Sequence, residues 1–238
     1  MKSFFITGTD TGVGKTIVGG GIAGVLRRSG KKVGVLKPFE SGCTNSGGEL
    51  VPEDALFLKN ISGCTEDIAV ICPYRMEHPL APGIAAEIEG VAIDLDRIRS
   101  CFKDLEKKYE TVLVEGAGGL MVPVTGDLLI SDLIKMLGLP TIIVSRLSLG
   151  TINHTLLTVK HALACGISVA GIILNQITPE IGKAEETNPE VIKRFSEIPI
   201  LGQIPFIPEE KRNDADFIVD AIQENIDLRS LGLSQTVA

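Results

Sequence analysis

The chain has 238 residues, 44% hydrophobic and 22% charged, with 4% aromatics and no tryptophan. That is long enough for residues 1–238 to form a single domain around an aliphatic core. The formal net charge of −7 excludes broad nucleic-acid binding, which needs a cationic face against phosphates. It leaves room for a small anionic ligand held by a few local donors.

In chain order, SFFITG (3–8) reads as a buried strand, followed by a glycine-rich turn and a helix over 14–29. KKVGVLKP (31–38) is the second strand, residues 39–50 form a glycine-rich loop, and a helix is expected over 52–61. Residues 73–90, with Pro73, Pro79, Pro82 and Gly83, read as irregular. A helix over 94–108, capped by Asp94, precedes the strand TVLVEG (111–116). Further helices over 130–138, 151–165 and 188–197 precede the strands PTIIVSR (140–146), SVAGIILNQ (168–176) and PILGQIP (199–205). Asn188 and Pro189 read as N-cap and first residue of the last of these helices. Gly30, Gly138 and Gly166 each follow a helix, where a left-handed residue is wanted. The last twenty residues carry no usable motif, and the stretch around them is acidic.

The strands are near-continuous in Val, Ile and Leu, as parallel strands covered on both faces are. The alternation predicts an α/β fold, a single doubly wound, mostly parallel sheet with helices on both faces. Ligands in such a sheet bind beyond the carboxyl ends of its strands. The five cysteines (43, 64, 72, 101, 165) include no C-x-x-C pair, so they read as reduced thiols rather than a disulfide framework or zinc site. There is no signal-peptide pattern and no apolar run near the ~20 residues of a membrane helix. The expectation is a soluble, cytoplasmic protein with no membrane partner.

GTDTGVGKT (8–16) joins the first strand to the first helix. It ends like a phosphate-binding loop, but five residues rather than four separate Gly8 from Gly14. Backbone N–H groups and a helix N-terminus there suit phosphates, with Lys15 reaching the β- and γ-phosphates and the Thr16 hydroxyl binding Mg²⁺. Glu115 closes the TVLVEG strand, where a second Mg²⁺ contact sits beside such a loop, and Gly116, Gly118 and Gly119 let backbone approach a ligand. Lys37 ends the second strand, with Ser41 four residues on, and is placed to stabilise a transferring phosphoryl group or an anionic acceptor. Asp54 lies in a first helical turn, where an acid complements the helix dipole. Gly150–Asn153 opens a helix whose N–H groups suit a substrate carboxylate, unless it is an ordinary capped start. His154 and His161 read as structural or surface residues. Asn175 either reads an adenine edge or forms a turn.

Together these segments resemble the dethiobiotin synthetase family of P-loop NTPases. GTDTGVGKT is similar to that family's G-T-D-T-x-V-G-K-T, including the extra residue before Gly14. KPFESG, VEGAGGLMVP, GTINHTLLT and LGQIP resemble its later blocks, in order, across about residues 4–210. Where many members carry Ser-Pro-His, this chain reads Ala81-Pro82-Gly83. The resemblance implies an ATP-dependent closure of 7,8-diaminononanoate with CO₂ to the cyclic urea dethiobiotin, through a carbamate and a carbamic–phosphoric anhydride. It implies that Gly12, Val13, Gly14, Lys15, Thr16, Glu115, Gly118, Asn175 and Pro205 bind ATP. It gives Mg²⁺ to Thr16, Asp54 and Glu115, and catalysis to Lys15 and Lys37, with Thr11 and Ser41 offering hydroxyls to the carbamate. The substrate carboxylate falls to Gly150, Thr151, Ile152 and Asn153 of a neighbouring subunit, so a homodimer with shared sites is implied. A contrasting expectation is a partitioning-type ATPase switch. Those proteins carry an additional early lysine in the loop, where this chain has Thr9, Asp10 and Thr11.

Overall fold

A computed structural model describes residues 2–233. The elements run β1 (Phe4–Gly8), α1 (Lys15–Arg28), β2 (Val33–Leu36), β3 (Phe39–Ser41), β4 (Thr44–Ser46), β5 (Glu49–Val51), α2 (Glu53–Ser62), α3 (Ile68–Ile71), β6 (Tyr74–Met76) and α4 (Pro82–Glu89). They continue α5 (Leu95–Lys108), β7 (Thr111–Glu115), β8 (Pro123–Thr125), β9 (Leu128–Leu129), α6 (Ile130–Leu137), β10 (Thr141–Arg146), α7 (Thr151–Ala164), β11 (Val169–Asn175), α8 (Lys183–Phe195), β12 (Ile200–Ile204) and α9 (Ala215–Asn225).

The six expected strands form one sheet in the order β12-β11-β10-β1-β7-β2, and every pairing in it is parallel. Side-chain alternation explains why helices cover both faces. Ile142 and Val144 of β10 and Ile173 of β11 join the main core. Ile143, Ile172 and Leu174 point the other way, to a second cluster with Val159 of α7 and Ile192 of α8. The fold is the doubly wound α/β arrangement expected, with β1 central.

Asp94 does cap α5, accepting from the Asp96 N–H at 2.8 Å. Gly30, Gly138 and Gly166 all have positive φ after their helices. Three expectations are corrected, and one element is added. Residues 39–50 are not all loop, because they contain β3 and the β4–β5 hairpin. The segment 73–90 holds β6, paired with β3, and α4. Its prolines and glycine read as breakers, yet Pro82 stands at the helix start, where a missing N–H costs nothing. Asn188 and Pro189 do not open a helix. Instead α8 begins after Gly182, whose N–H donates to the Glu185 carboxylate at 2.9 Å. Asn188 is buried and ties α8 to the Ser148 carbonyl at 3.2 Å. Finally, the acidic C-terminal stretch contains α9, capped by Asp214 and burying Ile218, Val219 and Ile222.

Candidate active site

β1 delivers the loop at the middle of the sheet's carboxyl edge. Its Gly8 N–H donates to the Gly118 carbonyl (3.2 Å) and the Thr9 N–H to the Val144 carbonyl (3.0 Å), so the strand end is clamped from both sides. The Thr9 hydroxyl lies 3.2 Å from that of Ser145. Gly14 adopts φ 94° and is followed at once by α1, with no side chain capping the helix start. Its first-turn N–H groups therefore face the cleft, available to an anion.

A cleft of about 660 Å³ opens there. It gathers Thr11, Lys15, Lys37, Ser41, Asp54 and Glu115, with Gly12, Gly14, Thr16 and Gly118 along the same lining. Opposite the charged residues, Pro79, Leu80, Ala81, Pro82 and Val122 make an apolar wall. A second cavity of about 270 Å³ shares Gly12, Gly14 and Ile17 with the first and adds Asn175, Gln176, Ile207 and Arg212. The two cavities thus meet at an anion cradle, with an amphipathic chamber on one side and a smaller chamber beside Asn175 on the other.

The charged residues are held in a dense network. Lys37 and Glu115 are buried and paired, Nζ to Oε1 at 2.6 Å, and Lys37 also meets Asp54 Oδ2 at 2.9 Å. Thr16 donates its hydroxyl to Glu115 Oε1 at 2.8 Å. Burial pushes the Lys37 ammonium down, but Glu115 and Asp54 outweigh it and hold the pKa well above the ordinary value. Lys15 goes the other way: burial, aided by Lys37, lowers it despite Glu115. Burial raises the Asp54 carboxyl, yet Lys37 brings it below its usual range. Removing either partner of a buried pair such as Lys37–Glu115 leaves a bare charge, at about 3–5 kcal/mol.

The residues fit a magnesium ion. Thr16, Asp54 and Glu115 supply only hard oxygen donors, as Mg²⁺ prefers. The two carboxylates converge on one cation, here the Lys37 ammonium. Glu115 Oε2 is buried without a hydrogen-bond partner, an acceptor still free. Among the described residues no group of three His, Cys, Asp or Glu forms a self-sufficient metal site.

Val13 is buried, and its carbonyl accepts the Asn175 amide at 2.9 Å. Pro205 follows β12, exposed and outside the lining of both cavities, where Ile207 stands instead. Gly150–Asn153 also lies outside the cleft lining of this chain. Thr151 is buried there, its hydroxyl 2.7 Å from that of Ser145. Ala81 and Pro82 line the cleft, while Gly83 packs on β8 so closely that a Cβ would lie 3.1 Å from the Val124 carbonyl. A side chain at that place would need the β8 backbone to give by a few tenths of an ångström.

Two participants escaped the sequence reading. Arg146 pairs with Asp10 of the loop, Nη2 to Oδ2 at 2.8 Å. Glu40 is buried in the cleft wall and accepts the N–H groups of Asp54 and Ala55, each at 2.9 Å. Burial, with Asp54 adding, lifts its pKa to about 7 against the pull of Lys37 and those two donors. A faint signal existed: Glu40 stands between Lys37 and Ser41, and the helix it caps opens after a proline that cannot cap itself.

A family model described as an AAA domain matches residues 2–213. The ATP-dependent dethiobiotin synthetase BioD of Thermodesulfovibrio yellowstonii is 42% identical over 240 residues, covering 97% of this chain and 99% of that one. The protein of the same name from Bacillus subtilis is 40% identical over 231 residues, 97% of each chain. Among solved structures, the MinC:MinD cell division protein complex of Aquifex aeolicus matches with TM-score 0.58 at 16% identity, covering 100% of this chain and 98% of that one. A ParA family ATPase from Chlorobium tepidum matches with TM-score 0.55 at 17% identity, covering 98% and 94%. At such identities these two show the fold alone. The sequence relatives go further, because they match from end to end, and the chain belongs to the ATP-dependent dethiobiotin synthetase family.

Proposed function

We propose that the chain, working as one catalytic unit, carboxylates 7,8-diaminononanoate with CO₂ and closes the ring to dethiobiotin at the expense of ATP. The observation that carries this reading is Lys37, buried at the junction of the anion cradle and the amphipathic chamber. One amine of the substrate attacks CO₂ and loses a proton, giving a carbamate. A carbamate oxygen attacks the γ-phosphorus, and ADP leaves. The second amine attacks the carbonyl carbon of the resulting anhydride, expels phosphate and loses its proton.

Each step needs positioning and charge neutralisation more than proton transfer. Lys15 neutralises the γ-phosphate. Lys37 holds carbamate and phosphate together and stabilises charge on both. Thr11 and Ser41 hydrogen-bond the carbamate. Thr16, Asp54 and Glu115 would hold Mg²⁺, which when bound offsets phosphate charge. Pro79, Leu80 and Val122 suit the aliphatic chain of the substrate. The adenine lies against Asn175 and Ile207. The substrate carboxylate goes to the N–H groups of Gly150–Asn153 in a second copy, which is why a homodimer is part of the proposal. Their position outside this chain's own cleft supports it; a monomer in sedimentation at working concentration would sink it.

Among the described residues no helix is long and apolar enough to cross a membrane, and all five cysteines are free thiols. We therefore place the protein in the cytoplasm, which detection in a membrane or secreted fraction would contradict.

The test is phosphate release from Mg·ATP and bicarbonate, with and without 7,8-diaminononanoate, followed by mass analysis. Diamine-dependent phosphate with a cyclic urea product is expected. Robust hydrolysis without diamine would favour a nucleotide switch.

A further inference from the structure

We propose that Glu40 is a positioning residue: a helix cap supplied from β3 that holds the start of α2 so that Asp54 faces Lys37 and Glu115. The inference rests on the reading of Asp54 as part of the magnesium set. A helix leaves its first N–H groups without partners, and the N-cap side chain normally takes those of the second and third residues. In α2 the N-cap is Pro52, which makes no side-chain cap. The second and third residues are Asp54 and Ala55, and their N–H groups go to Oε1 and Oε2 of Glu40. Glu40 thus performs the N-cap's task from outside the helix.

The geometry needs such a device. Between Ser41 and Pro52 the chain makes an excursion through the β4–β5 hairpin, whose first strand is fully exposed. The tie this loop makes to the helix start is an exposed side-chain contact, the Thr44 hydroxyl donating to Glu53 Oε1 at 3.1 Å, and it leaves the N–H groups of α2 unserved. Glu40 itself is firmly placed: β3 pairs with β6 in register Glu40–Arg75, and the preceding Phe39 is buried. The two acids facing Lys37 therefore differ in support. Glu115 rides on the buried strand β7. Asp54 rides on a helix end, its side chain 47% exposed, and its orientation depends on the bidentate grip of Glu40. Two donors on two oxygens fix the helix in rotation as well as position, which one bond would not.

The test is calorimetric titration of ATP into each protein, with Mg²⁺ and with EDTA, for wild type, Glu40→Ala, Glu40→Gln, Asp54→Asn and the double variant Glu40→Ala/Asp54→Asn. In the wild type Mg²⁺ is expected to tighten ATP binding. Glu40→Ala is expected to reduce that tightening by about tenfold and leave metal-free affinity within about twofold. Glu40→Gln, which keeps one acceptor oxygen, should fall between, and it decides the matter if the alanine variant does not fold. The double variant should be no worse than Asp54→Asn alone, because both lesions act through one carboxylate. Adding Pro52→Asp to Glu40→Ala supplies a local cap to the same N–H groups and should restore the tightening. A Glu40→Ala protein that melts lower but keeps the full Mg²⁺ effect overturns the proposal and leaves a purely structural cap. So does a failure of Pro52→Asp to restore it. If Asp54→Asn itself leaves the Mg²⁺ effect intact, the metal reading of Asp54 fails and the Glu40 proposal with it. If Asp54→Asn abolishes the effect and the Glu40 variants do not, only the latter fails.

Discussion

Helix α1 meets glycine twice, for opposite reasons. At its mouth, Gly12 and Gly14 have φ values of 73° and 94°, a region that side chains disfavour. In its body, Gly20, Gly21 and Gly24 have ordinary helical backbone, and the reason lies in their neighbours. A Cβ on Gly21 would overlap Ile222 of α9, one on Gly24 would overlap Val219 of α9, and one on Gly20 would overlap Phe57 of α2. Each helical glycine costs about 1 kcal/mol relative to alanine. The cost is offset because two helices pack directly on the α1 backbone, bringing Ile218, Val219 and Ile222 into the core. The mouth spends glycine on shape for a ligand and the body spends it on proximity. Damage that moves the mouth or removes its charges should therefore reach binding or turnover, with or without a stability cost, and damage to the body should reach stability alone.

The largest effect expected is at the mouth. Lys37→Ala should lower turnover by about 10²–10³-fold or more, since it removes the group that stabilises developing charge. ATP affinity should hold within a few-fold, because the loop and Lys15 remain. Near-normal turnover in a steady-state phosphate assay would remove Lys37 from the mechanism.

In the body, Gly21→Val should cost about 3 kcal/mol or more by overpacking against Ile222 and Ile218. Urea unfolding measures this. Pairing it with Ile222→Ala should recover part of the loss, whereas additive losses would mean that the contact is not the cause. Nucleotide affinity of the folded protein should be unchanged.

A pH series separates the regions further. The buried part of the contact of α1 with α9 is aliphatic, its Arg28 pairs with Asp216 and Asp220 lying at the exposed edge, while the mouth holds a buried carboxyl that titrates near neutrality. The Glu40 carboxyl has an ordinary value of 4.5 and is raised to about 7 in the fold, burial being the main cause. A group raised in this way binds its proton more tightly when folded. Its stabilising contribution is full below about 4.5 and is lost as pH rises through about 7. Compared with Glu40→Gln in metal-free, nucleotide-free buffer, the wild type should lose on the order of 3 kcal/mol across that window. Parallel stability curves for the two proteins would refute it.

The same contrast explains what was legible in the sequence. The loop glycines, Lys15, Thr16 and Glu115 were readable because their reasons are local: a strand, a turn and a helix start follow each other within a few residues. The six strands were readable because burial makes them rich in aliphatic residues. It is complete in β1, β2 and β7 and nearly so in β10 and β11, and the half-buried edge strand β12 keeps enough of the pattern to follow. The glycines inside α1 had no local reason, and their partner α9 went unread because its acidic residues hid the spacing of Ile218, Val219 and Ile222. Residues 82–89 were unread because Pro82 starts a helix as readily as it breaks one. Pro189 misled in the reverse sense: it sits inside α8, where packing of Ile192 in the second core cluster outweighs the lost N–H. Glu40 was invisible as a cap because the N–H groups it serves are distant in sequence, at Asp54 and Ala55.

The mouth itself can be divided with two alanines. Gly14→Ala forces a left-handed alanine and drives its Cβ into the Asn175 amide, which holds the Val13 carbonyl. The loop must then shift, and ATP affinity should fall by about tenfold or more, as it does when phosphate-binding backbone moves out of register. Gly12→Ala imposes a similar left-handed strain, φ 73°, but a Cβ there meets nothing within 4 Å. Its cost should be the backbone term alone, about 1–2 kcal/mol, seen in unfolding with ATP affinity changed less than about threefold. If Gly12→Ala weakened ATP as strongly as Gly14→Ala, backbone strain would govern the loop and the Asn175 contact would be incidental. If it left both stability and affinity untouched, left-handed φ would not be the reason for glycine at position 12. The comparison of mouth with body would then rest on Gly14 alone.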